Sequence, residues 1–493
     1  MRVKNIKIKN LIGALLVVIA LLSIVLIATM ASATDIWYDE VFSMCFSTSS
    51  IRELIALTAA DVHPPFYYIY LKLMAGIISA FGIQLEVAAK LASIIPWIGL
   101  FVIALTYIRK KWGMLVAGIF TCLVTVMPQI GNYYIEIRMY SLALFMITLA
   151  GLMALKIAED DRTVYWITLF VMGILCAYTQ YYACIGIIGV YLGLLVLIIR
   201  DKNKLIKWGT CAIGSVVLYI PWLPSLFGQM GKVNGNYWIQ PLTIRSIAGC
   251  VKFITLPVSL DGKICLISAG LTIAAIAVLV ILTIKDDFKT VVAMLMPLFI
   301  IILSGFILSA MGTPIFVYRY MVPALGLMWL WVAVMIDKVS ERFSWGLILL
   351  IPFILGGILT MRGMYAEEHK KVVAMEDVNE AFEALADNPV IICNFDHVAS
   401  VAGYYLRDAD VYLYEADIDE LLPKMLNGTG TFIDDAGVAD MVSSGRPVYF
   451  FGSFVSRDEI LDNWKTLGID NAEDASILLE RYWFNIYRLS NEE

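Results

Sequence analysis

Eleven stretches of this chain are apolar over enough consecutive residues to cross a bilayer as a helix, which takes roughly 20. They run 11–31, 87–107, 113–131, 139–157, 164–182, 183–200, 208–228, 263–284, 290–310, 320–336 and 344–361. A twelfth, 66–82, is ambiguous because Lys72 sits within it and Pro64-Pro65 precede it. Nothing soluble accommodates that pattern, and the composition agrees: 60% of the 493 residues are hydrophobic and 16% charged, against about a quarter charged in an ordinary soluble domain. A net charge of −6 without a basic patch argues against a nucleic-acid partner. The eight cysteines are scattered, with no CxxC pair and no metal-ligand spacing.

Charge divides the chain in two. Residues 365–493 carry 26 acidic and 9 basic side chains, a net of −17, while the 364 residues before them carry +11. The expected domains are therefore a membrane part, 1–364, and an acidic soluble part, 365–493. Basic clusters then set the sidedness. The N-terminal lysines, Arg109-Lys110-Lys111, Lys156 with Arg162, Arg200 to Lys207, Lys285 with Lys289, and Lys338 with Arg342 all fall on the cytoplasmic side only if 66–82 does not cross. The solution is eleven spans, N-terminus inside and C-terminal domain outside, with 32–86 as one outer loop and 66–82 as a helix in the membrane plane. The first run is longer than a signal-peptide core of ~7–15 residues, so it reads as a retained anchor.

In this topology no ionisable residue lies near the middle of a span, whereas a coupled transporter places such groups at the midplane. They collect instead at the outer ends: Trp37-Tyr38-Asp39-Glu40, Asp61-Val62-His63-Pro64-Pro65, Lys90, the Tyr133–Arg138 segment, Thr179-Gln180-Tyr181-Tyr182 and Tyr318-Arg319-Tyr320. Such a surface suits group transfer from a lipid-linked phosphate donor. Arg138 and Arg319 offer permanent charge and a planar fork of donors for the phosphate, with Lys90 as a further cation. Asp39, neighboured by Glu40 and Asp61, can serve as general base for an acceptor hydroxyl. His63 reads either as a cap for the in-plane helix or as a phosphate or acceptor contact. Arg138 could also be a snorkelling helix-end anchor.

The motifs WYDE (37–40), DVHPP (61–65), EIRMYSL (136–142), TQYY (179–182) and YRYMVPAL (318–325) resemble those of the GT-C glycosyltransferases, over roughly residues 1–361. More narrowly, the chain is similar to bacterial relatives of protein O-mannosyltransferases and to the aminoarabinose transferases of lipid A. The resemblance implies a GT-C fold of about eleven transmembrane helices. It also implies a catalytic base at Asp39, with Glu40 beside it, and a second acidic position at Asp61. Lys90 stands where the family commonly has Arg, and Gln180 where it commonly has His.

The expected activity is inverting transfer of a hexosyl or pentosyl unit from a polyprenyl-phosphate donor to a cell-envelope glycan, lipid or protein. It would take place at the outer face of the cytoplasmic membrane. The alternative is a flippase or exporter of lipid-linked sugar, which calls for polar groups along a path through the helices. Asp39, Glu40 and Asp61 are hard oxygen ligands that could take a divalent cation, but their spacing forms no metal motif and no cofactor is expected to be required. In the soluble part, 389–395, 411–416, 431–435, 447–453 and 484–490 read as strands and 373–386, 397–407 and 458–467 as helices. That pattern points to a small α/β domain with a mainly parallel sheet. His369 and His397 read as ordinary positions of that domain.

Overall fold

A computed structural model describes residues 2–233, 239–258, 262–285, 287–312, 314–416, 421–426 and 428–491. The chain forms two compact units. One comprises Met1–Thr29 and Leu54–Tyr365, the other Met30–Glu53 and Ala366–Glu493. The second unit takes up the acidic stretch from Ala366 onward. It also takes in Met30–Glu53, part of the 32–86 stretch expected to form a single loop.

The first unit is a helical bundle, and the protein is a polytopic membrane protein. Among the described residues, nine helices are long and apolar enough to span a bilayer. One of these, the run Leu85–Val126, has 42 residues, covers the expected span 87–107 and most of 113–131, and consists of Leu85–Ala92, Ile95–Ile103, a π-helical turn Ala104–Ile108 and Arg109–Val126. It breaks at Gly113, where φ is 90° and ψ 173°, a conformation glycine adopts without a steric cost. The expected span 164–182 appears as the shorter apolar helix Thr163–Ala177. Pro221 interrupts the 208–228 run, which becomes Lys202–Tyr219 and Leu223–Val233 joined by a 3₁₀ turn. The ambiguous run is a helix of 14 residues, Phe66–Ser79, which buries Tyr67, Tyr68, Leu71 and Ala75 on one face. It is about 21 Å long, well short of a bilayer core of about 30 Å.

Small residues let the helices approach. The helix Arg2–Ala28 meets Arg109–Val126 so closely that a Cβ on Gly13 would lie 2.2 Å from the Met114 carbonyl oxygen. This is the backbone-to-backbone packing typical of membrane helix pairs. Val322–Arg342 is buried along almost its whole length, including Trp329 and Trp331. At one end of the bundle the basic clusters are tied to acidic partners on other helices or in the turns between them. Lys9 pairs with Asp337 at 2.8 Å, Lys338 with Asp287 at 2.7 Å, Lys207 with Asp161 at 2.6 Å and Lys111 with Glu159 at 2.5 Å. Clusters the sequence assigned to one face thus share one end. The helix Tyr140–Glu159 runs from that end to the segment bearing Arg138, a rise of about 30 Å.

The second unit contains a six-stranded sheet of β1 (Val390–Cys393), β2 (Asp410–Tyr414), β3 (Thr431–Ile433), β4 (Val448–Gly452), β5 (Ile469–Leu479) and β6 (Tyr482–Asn491). The order is β3-β2-β1-β4-β6-β5. The first four strands are parallel, and β6 runs antiparallel to both β4 and β5. Five strands fall where the hydrophobic pattern put them. β5 does not, because Asp470-Asn471-Ala472-Glu473-Asp474 reads as a polar loop; it forms as an edge strand paired only to its hairpin partner β6, with a bulge at Glu473/Ala475. The expected helix 373–386 is instead the end of one helix, Ile351–Glu383. Good helix formers such as Ala366, Glu367, Glu368, Lys370 and Lys371 carry it through without a stop signal.

Val390, Ile392, Val448, Phe450, Trp464 and Tyr487 form the centre of the domain core. Beside it, Asp435 accepts hydrogen bonds from the Tyr414 hydroxyl at 2.6 Å, Trp464 Nε1 at 3.0 Å and Asn463 Nδ2 at 3.0 Å. Burial alone would raise its carboxyl, but these three donors more than offset that and hold it below its ordinary value. A depressed carboxyl stabilises the fold at pH values above its unfolded pKa of about 3.9, and that contribution is lost as pH falls through the folded value. Acid titration followed by thermal unfolding should therefore lower the midpoint of this domain below about pH 4. Asp435→Asn should lower the midpoint at neutral pH and flatten that acid dependence.

Candidate functional site

In the helical unit, three of the expected site residues meet directly. His63 Nδ1 lies 3.3 Å from Asp61 Oδ2, and Arg138 Nη2 lies 3.5 Å from His63 Nε2. A carboxylate can only accept, so Asp61 favours the tautomer with the proton on Nδ1. Nε2 is then left to accept from the guanidinium, at the long end of hydrogen-bonding range. Arg138 is 4% exposed, which sets it apart from a snorkelling anchor with its head in water.

The backbone around this relay is pinned on both sides. The helix Ile51–Ala60 ends just before Asp61, and its last carbonyls lack intrahelical partners. Gln229 Nε2 donates to the carbonyls of Thr58 (2.9 Å) and Ala59 (3.2 Å), and Lys232 Nζ donates to that of Ala60 (3.2 Å). Gln229 is itself oriented by the Tyr181 hydroxyl, which in turn accepts from Trp222 Nε1 at 3.2 Å. After the two prolines, the Phe66 amide donates to the Tyr178 carbonyl at 2.8 Å. TQYY therefore supports DVHPP through both Tyr181 and the residue before the motif. Gln229, Lys232 and Trp222 carried no signal in the sequence, because helix capping by a distant side chain leaves no local motif.

Arg138 sits in a tight turn, its amide donating to the Glu136 carbonyl at 2.8 Å. The same carbonyl accepts from Ser93 Oγ at 2.7 Å. Ser93 directly follows the helix Leu85–Ala92, whose last turn contains the buried Lys90. Lys90 is thus carried by an element fastened to the Arg138 turn. Arg319 lies on the 3₁₀ turn Tyr318–Met321, where its neighbour Tyr320 stacks on Tyr182 with ring centroids 4.5 Å apart.

Asp39 and Glu40 belong to the other unit. They occupy the first turn of the helix Tyr38–Thr48, where the helix dipole favours negative charge. Glu40 is buried, and its Oε2 accepts from the Trp37 amide at 3.1 Å, satisfying the N-cap donor of its own helix. That structural task distinguishes it from Asp39, which is only partly buried. No group of three or more His, Cys, Asp or Glu suited to a metal occurs among the described residues.

Comparison with solved structures gives the chain a GT-C fold. Over 97% of its length it is similar to ArnT from Cupriavidus metallidurans in the apo state, with a TM-score of 0.58, 14% identity and 98% of that chain covered. The same enzyme bound to undecaprenyl phosphate gives a TM-score of 0.56 at 14% identity, covering 97% of each chain. An oligosaccharyltransferase from Archaeoglobus fulgidus matches 70% of this chain and 53% of its own, at 12% identity and a TM-score of 0.33, a likeness too distant to bear on function. No protein-family model matches the sequence, and no curated protein matches it.

Proposed function

We propose that this protein transfers a monosaccharide from a polyprenyl-phosphate donor to a hydroxyl or amine of a cell-envelope acceptor, with inversion at the anomeric carbon. The observation that carries the reading is the Asp61–His63–Arg138 relay in a GT-C fold. A buried guanidinium set by an oriented imidazole suits a phosphate that must shed a sugar and gain charge. ArnT, which has the same fold, has been captured with undecaprenyl phosphate.

In this reading Arg138 and Arg319 hold the phosphate, with His63 and Lys90 in support. Asp39 takes the proton of the acceptor as its oxygen or nitrogen attacks the anomeric carbon. The bond from that carbon to the phosphate oxygen breaks, and polyprenyl phosphate leaves with the electron pair. The chemistry is proposed for the outer face of the cytoplasmic membrane, with the N-terminus inside and the C-terminal domain outside. Protease digestion of intact spheroplasts should accordingly reach residues 366–493 and spare the N-terminal lysines.

The deciding experiment supplies purified, lipid-reconstituted protein with a radiolabelled panel of polyprenyl-phosphate sugars. One donor should be consumed, with release of free polyprenyl phosphate. Passage of the labelled lipid across the bilayer without consumption would transfer the assignment to a flippase. Turnover is expected to continue in excess chelator; its loss, restored by one divalent cation, would show that Asp39, Glu40 or Asp61 works through a metal.

A further inference from the structure

The sheet of the second unit has a topological switch point. From β1 the chain proceeds to β2 on one side, whereas β4 lies on the other. In open α/β sheets the crevice beyond the carboxyl ends of such strands is the usual place for a ligand. Here the residues around that edge hold a piece of the same chain. Phe395 and His397 follow β1, and Tyr482 opens β6 at the end where β4 finishes. The three rings face one another, with Phe395 and His397 centroids 4.5 Å apart and His397 and Tyr482 5.5 Å apart. The ring of Tyr38 packs against His397 at 4.0 Å, and the Arg481 guanidinium lies over the Trp37 ring at 4.0 Å.

Three consecutive backbone amides just before Asp39 each find a side-chain oxygen. Ile36 N donates to the Tyr405 hydroxyl at 3.0 Å, Trp37 N to Glu40 Oε2 at 3.1 Å, and Tyr38 N to the Tyr482 hydroxyl at 3.4 Å. The last two are donors that the start of a helix leaves without intrahelical partners. Two of the three acceptors come from the C-terminal domain. Burial lowers the His397 pKa, with Asp396 and Asp39 opposing it.

We propose that the C-terminal domain is a clamp for the acidic segment: the rings at its switch point hold Tyr38, the end of the helix Asp396–Tyr405 holds Ile36, and Tyr405 and Tyr482 are positioning residues for Asp39. The inference rests on the reading of Asp39 as the base. The hydroxyls touch no reacting atom; they fix the backbone from which the carboxylate projects. Small displacements of a catalytic group are costly to rate without altering donor affinity.

The test is the double variant Tyr405→Phe/Tyr482→Phe in the full chain, which keeps both rings and removes both acceptors. We expect kcat to fall about tenfold with the donor KM unchanged. Hydrogen exchange should accelerate in peptides covering residues 36–40 and stay as in the wild type across β1 and β4. In an Asp39→Asn background the same pair should add no further loss, because the group it positions has gone. Wild-type kcat, or unchanged exchange at 36–40, overturns the clamp, and so does a full additional loss in the Asp39→Asn background. Should Asp39→Asn itself turn over normally, the assignment of the base fails, while the exchange measurement still decides whether the segment is clamped. Each single Tyr→Phe variant should show a smaller change of the same kind if the pair folds poorly.

Discussion

Asp39→Asn should lower turnover by about a hundredfold or more, the usual worth of a positioned general base, and leave binding of the polyprenyl-phosphate donor intact. The substitution is close to isosteric. It removes one charge from the first turn of Tyr38–Thr48, where Glu40 remains to satisfy the Trp37 amide. Stability should therefore change little, and the loss will appear in kcat. Glu40→Gln makes an informative contrast. The new amide can still accept from the Trp37 N–H, but the first turn loses a charge that the helix dipole favours, a change of about 0.3–1 kcal/mol, so its first effect should be a slightly lower unfolding midpoint. If Asp39→Asn turns over normally while Glu40→Gln at a permissive temperature does not, the base is Glu40. If both turn over, Asp61 is the remaining acid, and its contact with His63 would acquire a proton-transfer meaning in place of an orienting one.

Much of the fold is legible in the sequence because the bilayer imposes a length. Helices had to appear where apolar runs of about 20 residues stood, and the basic clusters between them had to share an end. The ion pairs of Lys9, Lys111, Lys207 and Lys338 confirm that sharing. The link between DVHPP and Arg138 is approachable for a similar reason: topology gathers short polar segments at one surface even when they lie 75 positions apart. The allegiance of Met30–Glu53 is not legible. It depends on tyrosine hydroxyls 369 and 444 positions away, and a lone Tyr near a strand or at a helix end carries no mark of its partner. The same holds for Gln229, which looks like any polar residue near a helix terminus until Thr58 and Ala59 are seen to receive it. His397 looks ordinary in the sequence because an aromatic wall has no spacing rule as metal ligands do. The polar run of β5 hides a strand because an edge strand needs only one paired side and little burial.

The second large effect is expected at Arg138. Arg138→Gln should reduce kcat/KM by about 10²–10³, the range for removing one pre-placed donor to developing charge, and should weaken binding of free polyprenyl phosphate as well. Arg138→Lys keeps the charge but loses the planar fork, so it should fall between wild type and Gln. Asp61→Asn acts at one remove. An amide in place of the carboxylate no longer demands a proton on Nδ1, so His63 can present N–H towards the guanidinium in place of a lone pair. About a tenfold loss is reasonable for a mis-set orienting group, well below removal of the guanidinium itself. Because Asp61, His63 and Arg138 form one chain of contacts, Asp61→Asn and Arg138→Gln together should cost little more than Arg138→Gln alone. The decisive comparison sets Arg138→Gln against Asp39→Asn: the former should lose affinity for the product lipid and the latter should keep it. Retained affinity in Arg138→Gln, in protein that melts at the wild-type temperature, would reduce Arg138 to a buried structural cation and move the phosphate to Arg319 and Lys90. Loss of affinity in Asp39→Asn would instead indicate that Asp39 helps to form the phosphate site and is not the base.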